Sequence, residues 1–256
     1  MSAFVPYEPL NTPKPFAEDV WIVDGPEIRM DYGPASLPFP TRMTVVRLSS
    51  GELWVHSPIA PDPALFEQVE ALGRVRYLVA PNSLHYWYMA DWLERYPEAT
   101  SHAVPGLEKA KRRFRIDQVL TAGERMEWEG EIAWVLVPGT AVTEAVFFVR
   151  RGRVAVLTDL IENFEPARVR SRLLRWLIGL AKANGSTPLD MRATYLPRRR
   201  EVARAVREIL DWPADKVVMA HGLPYGKNGA AELQRGLGWT VRRDRTIRRW
   251  KPGSRP

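Results

Sequence analysis

The chain has 256 residues, 45% of them hydrophobic and ten of them tryptophan, which excludes a disordered or fibrous protein and is enough to bury a substantial core. Its formal net charge is +7, but residues 242–256 contain seven Lys or Arg and one Asp, so the rest of the chain is nearly neutral. The absence of cysteine excludes disulfides, zinc–thiolate sites and cysteine nucleophiles, and it fits a reducing compartment.

We expect a cytoplasmic protein without a transmembrane segment. The first residues have no basic stretch followed by an apolar one, as a signal peptide would, and no apolar run approaches the roughly 20 residues of a membrane span. The predicted organisation is an N-terminal extension (1–19), one domain (20–241) and a basic tail (242–256). Such a tail is typically solvated, and binding of nucleic acid or an anionic surface is the alternative.

The first part of the chain predicts strands that alternate with helices. The strands fall at 20–25, 41–49, 53–58, 74–81 and 99–104, and the helices at 62–72, 86–96 and 105–114. A turn-forming SSGE stretch joins the second and third strands, which predicts a hairpin. Asp62 and Pro63 suit the N-cap and first turn of the first helix.

The second part returns to strands and ends in helices. Paired strands are predicted within 125–139 and within 144–160, and a buried strand within 216–224 runs into a loop with His221. Helices are predicted at 167–185, from Pro197 onward, and at 229–239. The strands therefore form two groups, each followed by helices. This order favours two sheets layered with helices over a single parallel sheet.

A few polar residues lie at the ends of predicted strands, where distant parts of a chain converge on one pocket. The chain has four histidines, and His56, His85 and His221 each lie close to such an end. Asp159 lies in a similar place, after the apolar run VAVL. Two imidazoles and a carboxylate suit Zn, Mn or Fe, although a single histidine there is more often structural.

The order of these features resembles the metallo-β-lactamase superfamily. A strand leads into a loop with His85, a Pro-Gly turn precedes a hairpin that ends in Thr-Asp, and a later strand ends in His-Gly. The resemblance covers about Val20 to Trp239 and implies a mixed α/β fold, a four-layer αββα sandwich with metals at one edge of its strands. The stretch LVAPN…H…YM…WLERYPEA also resembles a subgroup described only as of unknown function.

The superfamily's first motif, His-x-His-x-Asp-His, falls on residues 80–85. There the chain has Ala80, Asn82 and Leu84 in place of the first two histidines and the aspartate, and keeps only His85. The position of the histidine that follows Pro-Gly is taken by Thr140. The resemblance thus implies a degenerate site, in which a second-metal set of His85, Asp159 and His221 remains.

Two His and one carboxylate are a feasible mononuclear catalytic set, so one hypothesis is a metal-dependent hydrolase with one divalent Zn, Mn or Fe ion. Glu144 is the expected replacement base, and Asn82 and His56 are expected to contact substrate. Substrates in the superfamily include lactams, thioesters, lactones and nucleic acids, so the fold does not select one.

Two alternatives stay open. One is a non-catalytic descendant without a cofactor that binds a small ligand or acts in interactions. The other is a surface-binding protein that uses the tail and the Arg- and Leu-rich helix near 167–184. For that helix, the sequence interpretation favours packing against the sandwich with its arginines in solvent.

Overall fold

The computed structural model of the chain describes residues 2–32 and 35–242. The strands in these residues are β1 (Lys14–Ala17), β2 (Val20–Tyr32), β3 (Ala35–Arg47), β4 (Glu52–His56), β5 (Arg74–Ala80), β6 (Thr100–Ala103), β7 (Gln118–Val119), β8 (Ile132–Val137), β9 (Glu144–Val149), β10 (Val154–Val156), β11 (Glu162–Asn163), β12 (Asn184–Ser186) and β13 (Lys216–Val218). The α-helices are α1 (Pro63–Glu70), α2 (Met89–Arg95), α3 (Arg172–Ala181), α4 (Leu189–Tyr195), α5 (Arg199–Asp211) and α6 (Gly229–Arg242). No helix in the described residues is long and apolar enough to cross a membrane.

Strands β1 to β7 form one sheet in sequence order. Each of the pairs β1–β2, β2–β3 and β3–β4 is antiparallel, whereas β4, β5, β6 and β7 run parallel to one another. Helices α1 and α2 make the crossovers that parallel neighbours require. The carboxyl ends of β4 and β5 consequently lie side by side, and each opens into a loop that carries polar residues.

A second sheet, with the order β13-β10-β9-β8, packs against the first. Every residue of its strand β9 is buried. Alternate side chains point to opposite sides of the strand, so both of its faces are covered. Phe147 packs on Trp54 of the first sheet, with ring centroids 4.9 Å apart, whereas Val146 and Phe148 join the core beneath α5 and α6. The predicted pair of sheets layered with helices, a four-layer αββα sandwich, is confirmed.

The β2–β3 hairpin is longer than the strands predicted at 20–25 and 41–49. Its added part contains Pro26, Pro38 and Pro40, residues that weaken any strand prediction because they donate no backbone hydrogen bond. The start of the first helix was predicted correctly, and Asp62 accepts the backbone N–H of Leu65 as its N-cap.

Other predicted elements were wrong. Residues 105–114 contain only a 3₁₀ turn, Leu107–Lys109, and not a helix. Within 125–139 the strand begins only at Ile132. The helix predicted at 167–185 is confined to α3. The strand predicted within 216–224 ends at Val218, and His221 lies in the loop after it, as predicted.

Arg42 of β3 ties the first sheet to the loop after β13. Its Nη1 donates to the carbonyl oxygens of Met219 and Gly222, each at 2.7 Å, on either side of His221. Its Nη2 lies 2.7 Å from Oδ1 of Asp24, and the Arg42 side chain is only 1% exposed. Lys14 also pairs with Asp24, at 2.6 Å. The loop therefore takes its position from a buried ion pair in the other sheet.

We predict that Arg42→Met lowers the free energy of unfolding by about 3 kcal/mol, because it leaves Asp24 and two carbonyl groups with fewer partners in the interior. Urea denaturation of the purified protein measures this change. Arg47→Met is the matched control on the same strand, since Arg47 pairs with Asp19 while 43% exposed, and we expect it to cost about 1 kcal/mol or less. Equal losses for the two variants would contradict the assigned role of Arg42.

Candidate metal centre

The side chains of His85, Asp159 and His221 meet at one edge of the sandwich. Asp159 follows β10, and its Oδ1 lies 3.3 Å from Nε2 of His85 and 3.2 Å from Nε2 of His221. One potential ligand atom from each residue lies within 4.8 Å of the others. The structure thus brings together the three residues predicted as metal ligands, and we refer to them as the triad.

Asn82 builds the loop that presents His85. Its Oδ1 accepts the backbone N–H groups of Leu84 and His85, both at 2.9 Å, an Asx-type turn that fixes the chain after β5. Its Nδ2 donates to Oδ2 of Asp159 at 2.7 Å and to Thr158 Oγ1 at 2.9 Å. Asn82 is fully buried, so it orients the carboxylate and shapes the histidine loop at once.

His221 is oriented by the β2–β3 hairpin. Its Nδ1 lies 2.8 Å from the carbonyl oxygen of Pro40, which can only accept, so Nδ1 carries the proton. The ring of Phe164 stacks on the imidazole at 6.1 Å, and Phe39 packs beside it at 5.3 Å. In a neutral imidazole held this way, Nε2 presents a lone pair to Asp159.

His85 is oriented in a similar manner. Its Nδ1 lies 2.8 Å from Oγ of Ser57, which follows β4 in a left-handed conformation with φ of 54°. The Nε2 atom is thereby directed to the same oxygen of Asp159 that His221 faces. Hydrogen bonds to the far nitrogen of each ring are typical of histidines that bind metals.

The donor set fits a single divalent cation. An unprotonated Nε2 of His221 opposite a carboxylate oxygen places two lone pairs face to face, which is unfavourable unless a cation, a metal ion or a proton, lies between them. Ligand atoms on a tetrahedral zinc ion are about 3.4 Å apart for bonds near 2.1 Å. The nitrogen–oxygen separations of 3.2 and 3.3 Å are close to that spacing.

The electrostatics of the triad favour an anionic carboxylate. Burial alone raises the pKa of Asp159, but the neighbouring His85 and His221 outweigh it and hold that pKa well below its usual range. Burial alone lowers the pKa of His85, yet the charge and hydrogen bond of Asp159 shift it upward overall. In the absence of a metal, His85 therefore retains a proton to higher pH than an ordinary histidine.

Glu144 lies beneath the triad. Its Oε1 accepts the backbone N–H of Thr158 at 2.8 Å, and its Oε2 accepts those of Asp159 and Leu160 at 2.9 Å each. Burial, with a contribution from Asp159, raises the pKa of Glu144 to about 7. The predicted role as catalytic base stays a prediction, and the observed contacts are those of a carboxylate that holds the Asp159 turn.

His56, predicted to contact substrate, is 2% exposed and lies within the core between the sheets. Its ring stacks with Trp54 at 5.5 Å and meets the edge of Phe147 at 5.5 Å. Burial, assisted by the neighbouring His85, lowers the pKa of His56 to about 3, so the ring is neutral. A substrate contact for His56 remains a prediction without a supporting contact.

Ala80, Thr140 and Leu84, which the resemblance aligns with family ligands, have other contacts. Ala80 is fully buried at the end of β5. Thr140 is exposed, and its Oγ1 donates to the carbonyl oxygen of Thr194 at 3.1 Å. Leu84 packs at the margin of the core beneath the second sheet. Within residues 2–32 and 35–242, only the triad forms a three-residue group of potential metal ligands.

A small cavity at the histidines and a larger groove beside it share part of their walls. Next to the two histidines lies a cavity of about 20 Å³, room for about one water molecule. It borders a groove of about 680 Å³. Both are lined by Leu84, Trp87 and Tyr88 from the histidine loop and by Ile28 and Met30 from β2.

Sequence reasoning missed three contributors to this site. Ser57 and the carbonyl of Pro40 orient the histidines, and Arg42 holds the loop of His221. Ser57 gave a weak signal, since it follows His56 at a strand end. A backbone carbonyl gives none, because every residue has one.

A family model described as Domain of unknown function (DUF4336) matches residues 19–171. None of the curated proteins compared with the chain matches it. Similar solved structures include the metallo-β-lactamase FIM-1 from Pseudomonas aeruginosa in its mono-zinc form, with a TM-score of 0.60 and 13% identity over 94% of this chain and 95% of that one.

Two further structures give the same result. The metallo-β-lactamase DIM-1, exposed to ceftazidime, has a TM-score of 0.59 and 12% identity, covering 89% of this chain and 96% of that one. The flavodiiron core of Flv1 from Synechocystis sp. PCC6803 has a TM-score of 0.55 and 12% identity, covering 90% of this chain and 60% of that one. At these identities the likeness establishes a shared metallo-β-lactamase fold.

We predict that Glu144→Gln destabilises the protein by about 1–3 kcal/mol, because an amide cannot accept all three backbone N–H groups and leaves at least one unpaired in the interior. Thermal or urea unfolding measures the loss. Glu131→Gln is the control, since Glu131 accepts the backbone N–H and hydroxyl of Ser49 in an exposed position, and we expect it to cost less than about 1 kcal/mol. Full stability of the Glu144 variant would leave Glu144 without a structural role.

Proposed function

The chain belongs to the DUF4336 family, and we propose that it is a hydrolase that uses one divalent metal ion held by His85, Asp159 and His221. The observation that carries the proposal is the convergence of two oriented Nε2 atoms on one buried carboxylate oxygen. Two histidines and one carboxylate with an open position are a common catalytic zinc set.

A single ion is the proposed stoichiometry, and the site is then degenerate relative to a two-metal centre. Ala80, Asn82 and Thr140 occupy the positions where the superfamily resemblance places the first metal's histidines. Asn82 and Thr140 are already hydrogen-bonded within the protein. These residues offer no imidazole, and amide and hydroxyl oxygens are weak zinc ligands.

Each neighbour of the triad has a defined task in this proposal. Pro40 and Ser57 fix the ring orientations, so that Nε2 of both histidines is available as a donor. Asn82 holds the second oxygen of Asp159, which keeps Oδ1 directed at the histidines. A bound divalent ion would supply a nucleophile by lowering the pKa of a coordinated water toward neutrality.

The groove supports a small-molecule substrate with an apolar body and an acidic group. The walls that it shares with the cavity beside the histidines are aromatic and apolar, with Trp87 46% exposed. Arg29, Lys109 and Lys111 also line it, with Glu27 as the acidic member. Trp87 and Tyr88 would hold the apolar part, and the cationic side chains would attract the acidic part.

A second candidate function is ligand binding without catalysis. The cavity beside the histidines holds about one water molecule, and Leu84 lines it where the family has a water-orienting aspartate. A proton shared between His221 and Asp159 would satisfy the same lone pairs as a metal ion. In that case the triad would support the loops, and the groove would hold a ligand that is not turned over.

Metal binding by the intact protein tests the first step of the proposal. We predict one equivalent of Zn, Mn or Fe after reconstitution, measured by equilibrium dialysis with elemental analysis. His221→Ala and Asp159→Asn should each weaken binding by more than about 100-fold, and Ser57→Ala, which removes only a hydrogen bond to His85, by about tenfold. His102→Ala removes a buried histidine outside the triad and should leave binding unchanged. Two equivalents, or none, would contradict the proposal.

The affinity for the metal should rise with pH. His85 must lose its proton to become a ligand, and its pKa lies above the ordinary value of 6.5. The affinity for the metal is therefore lowest when the pH is well below 6.5, and it becomes constant only once the pH exceeds the raised pKa of His85. Isothermal titration calorimetry with zinc in buffers of different ionisation enthalpy measures both the trend and the protons released. An affinity that is flat from about pH 5 to 8 would contradict deprotonation of His85 on binding.

Hydrolysis separates the two candidate functions. The reconstituted protein should cleave some member of a panel of acidic esters, thioesters, lactones and phosphodiesters, with a rate that depends on added metal. Asp159→Asn should abolish that rate, and Lys111→Ala should raise KM for acidic substrates with little change in kcat. Saturable binding of an acidic ligand in the groove without turnover, in a protein that holds one metal ion, would favour the non-catalytic function.

A further inference from the structure

Helix α3 has an unusual outer face. Its inner residues, Ile178 among them, pack into a small core with Phe164 and Val169. On the other side Leu173, Trp176, Leu177 and Leu180 are 65%, 60%, 41% and 53% exposed, respectively. These four lie at positions i, i+3, i+4 and i+7, so they form one continuous apolar stripe. We refer to them as the outer face of α3.

The exposed arginines of this region agree with the sequence interpretation, and the apolar stripe adds to it. The helix does pack on the sandwich, but its exposed surface is apolar as well as basic. Isolated exposed leucines are normal in soluble domains, whereas a contiguous patch that includes tryptophan marks an interaction surface.

The charge around the outer face has one sign. Between residues 166 and 189 the chain has four arginines and one lysine and no Asp or Glu. Arg170, Arg172, Arg175 and Lys182 are exposed. The adjacent Arg168 pairs with Glu165, the acidic residue that precedes the segment. An apolar stripe bordered by cations is complementary to a surface that is apolar inside and anionic at its rim.

We propose that α3 docks the protein on an anionic phospholipid bilayer. The outer face would enter the boundary between headgroups and acyl chains, where tryptophan is favoured, while the arginines contact lipid phosphates. The helix is too short to span a bilayer, and it lies along the surface of the sandwich, as an interfacial helix does. Association of two copies through the same face is disfavoured because it would bring two cationic segments together.

The helix also lies one residue layer from the candidate metal centre. Ile178 of its inner face shares a core with Phe164, and Phe164 stacks on His221. Docking through α3 would therefore place the membrane near the loop that carries His221. The docking proposal itself does not depend on a metal ion or on hydrolysis, since neither contributes to the outer face.

Co-sedimentation of the full-length protein with vesicles tests the proposal. We expect binding to vesicles of phosphatidylcholine with about 30% phosphatidylglycerol, and at least about tenfold weaker binding to phosphatidylcholine alone or in high salt. Trp176→Ser/Leu180→Ser and, separately, Arg170→Glu/Arg172→Glu should each reduce binding by about tenfold or more.

Matched controls remove the same chemistry elsewhere. Val119→Ser/Leu196→Ser replaces two apolar residues that are 37% and 43% exposed outside α3. Arg199→Glu/Arg200→Glu makes the same change in net charge on α5, where both residues are exposed. The apolar control should bind as the parent does, and the charge control should weaken binding less than the α3 reversal. Circular dichroism confirms that each variant is folded.

Three outcomes would overturn the proposal. The first is no binding to anionic vesicles at low salt. The second is binding that survives both α3 variants and is lost in Arg248→Glu/Arg249→Glu, which would assign it to residues 243–256, outside the described residues. The third is a concentration-dependent dimer that Trp176→Ser/Leu180→Ser abolishes, which would assign the outer face to a second copy of the chain.

Discussion

The buried carboxylate of Asp159 is the constraint on which the rest of this edge of the molecule depends. A charge with a 2% exposed side chain must be compensated within the protein, since the cost of removing it from water is several kcal/mol. His85 and His221 compensate the charge at Oδ1, and Asn82 donates a hydrogen bond to Oδ2. Those three residues come from two distant loops, so the charge fixes how the loops after β5, β10 and β13 meet.

The layered architecture brings those loops together, and further groups hold them in place. Parallel pairing aligns the carboxyl ends of β4 and β5, and the parallel pair β10 and β13 does the same in the second sheet. Arg42 then crosses from the first sheet to the loop of His221, while Glu144 closes the turn of Asp159 with three accepted hydrogen bonds. Neither residue needs to touch a substrate for the site to depend on it.

The sequence was sufficient for the two sheets and for the triad because both depend on patterns that extend over many residues. Apolar runs predict buried strands such as β9, and the polar residues at the ends of such runs carry the resemblance to a known metal-binding motif. Predictions from local propensity were wrong where tertiary contacts determine the secondary structure. The segment 105–114 contains residues that favour a helix but forms only a 3₁₀ turn. The prolines of the β2–β3 hairpin weakened the strand prediction there, so its full length was not predicted. The hydrogen-bond partners of the triad could not be predicted for a different reason. A backbone carbonyl such as that of Pro40 has no sequence signature.

The distribution of hydrogen bonds around the triad indicates that the orientation of its three side chains is constrained. A site under no functional constraint has no physical reason to keep both ring nitrogens of two histidines oriented, since alanine or leucine would pack there without a buried charge. In this chain each nitrogen of His85 and His221, and each oxygen of Asp159, has a partner. Asn82 and Thr140 differ in their contacts, because Asn82 organises the loop and Thr140 bonds to a neighbouring helix. A fully oriented set of two imidazoles and one carboxylate is the arrangement expected of the single-ion centre proposed above.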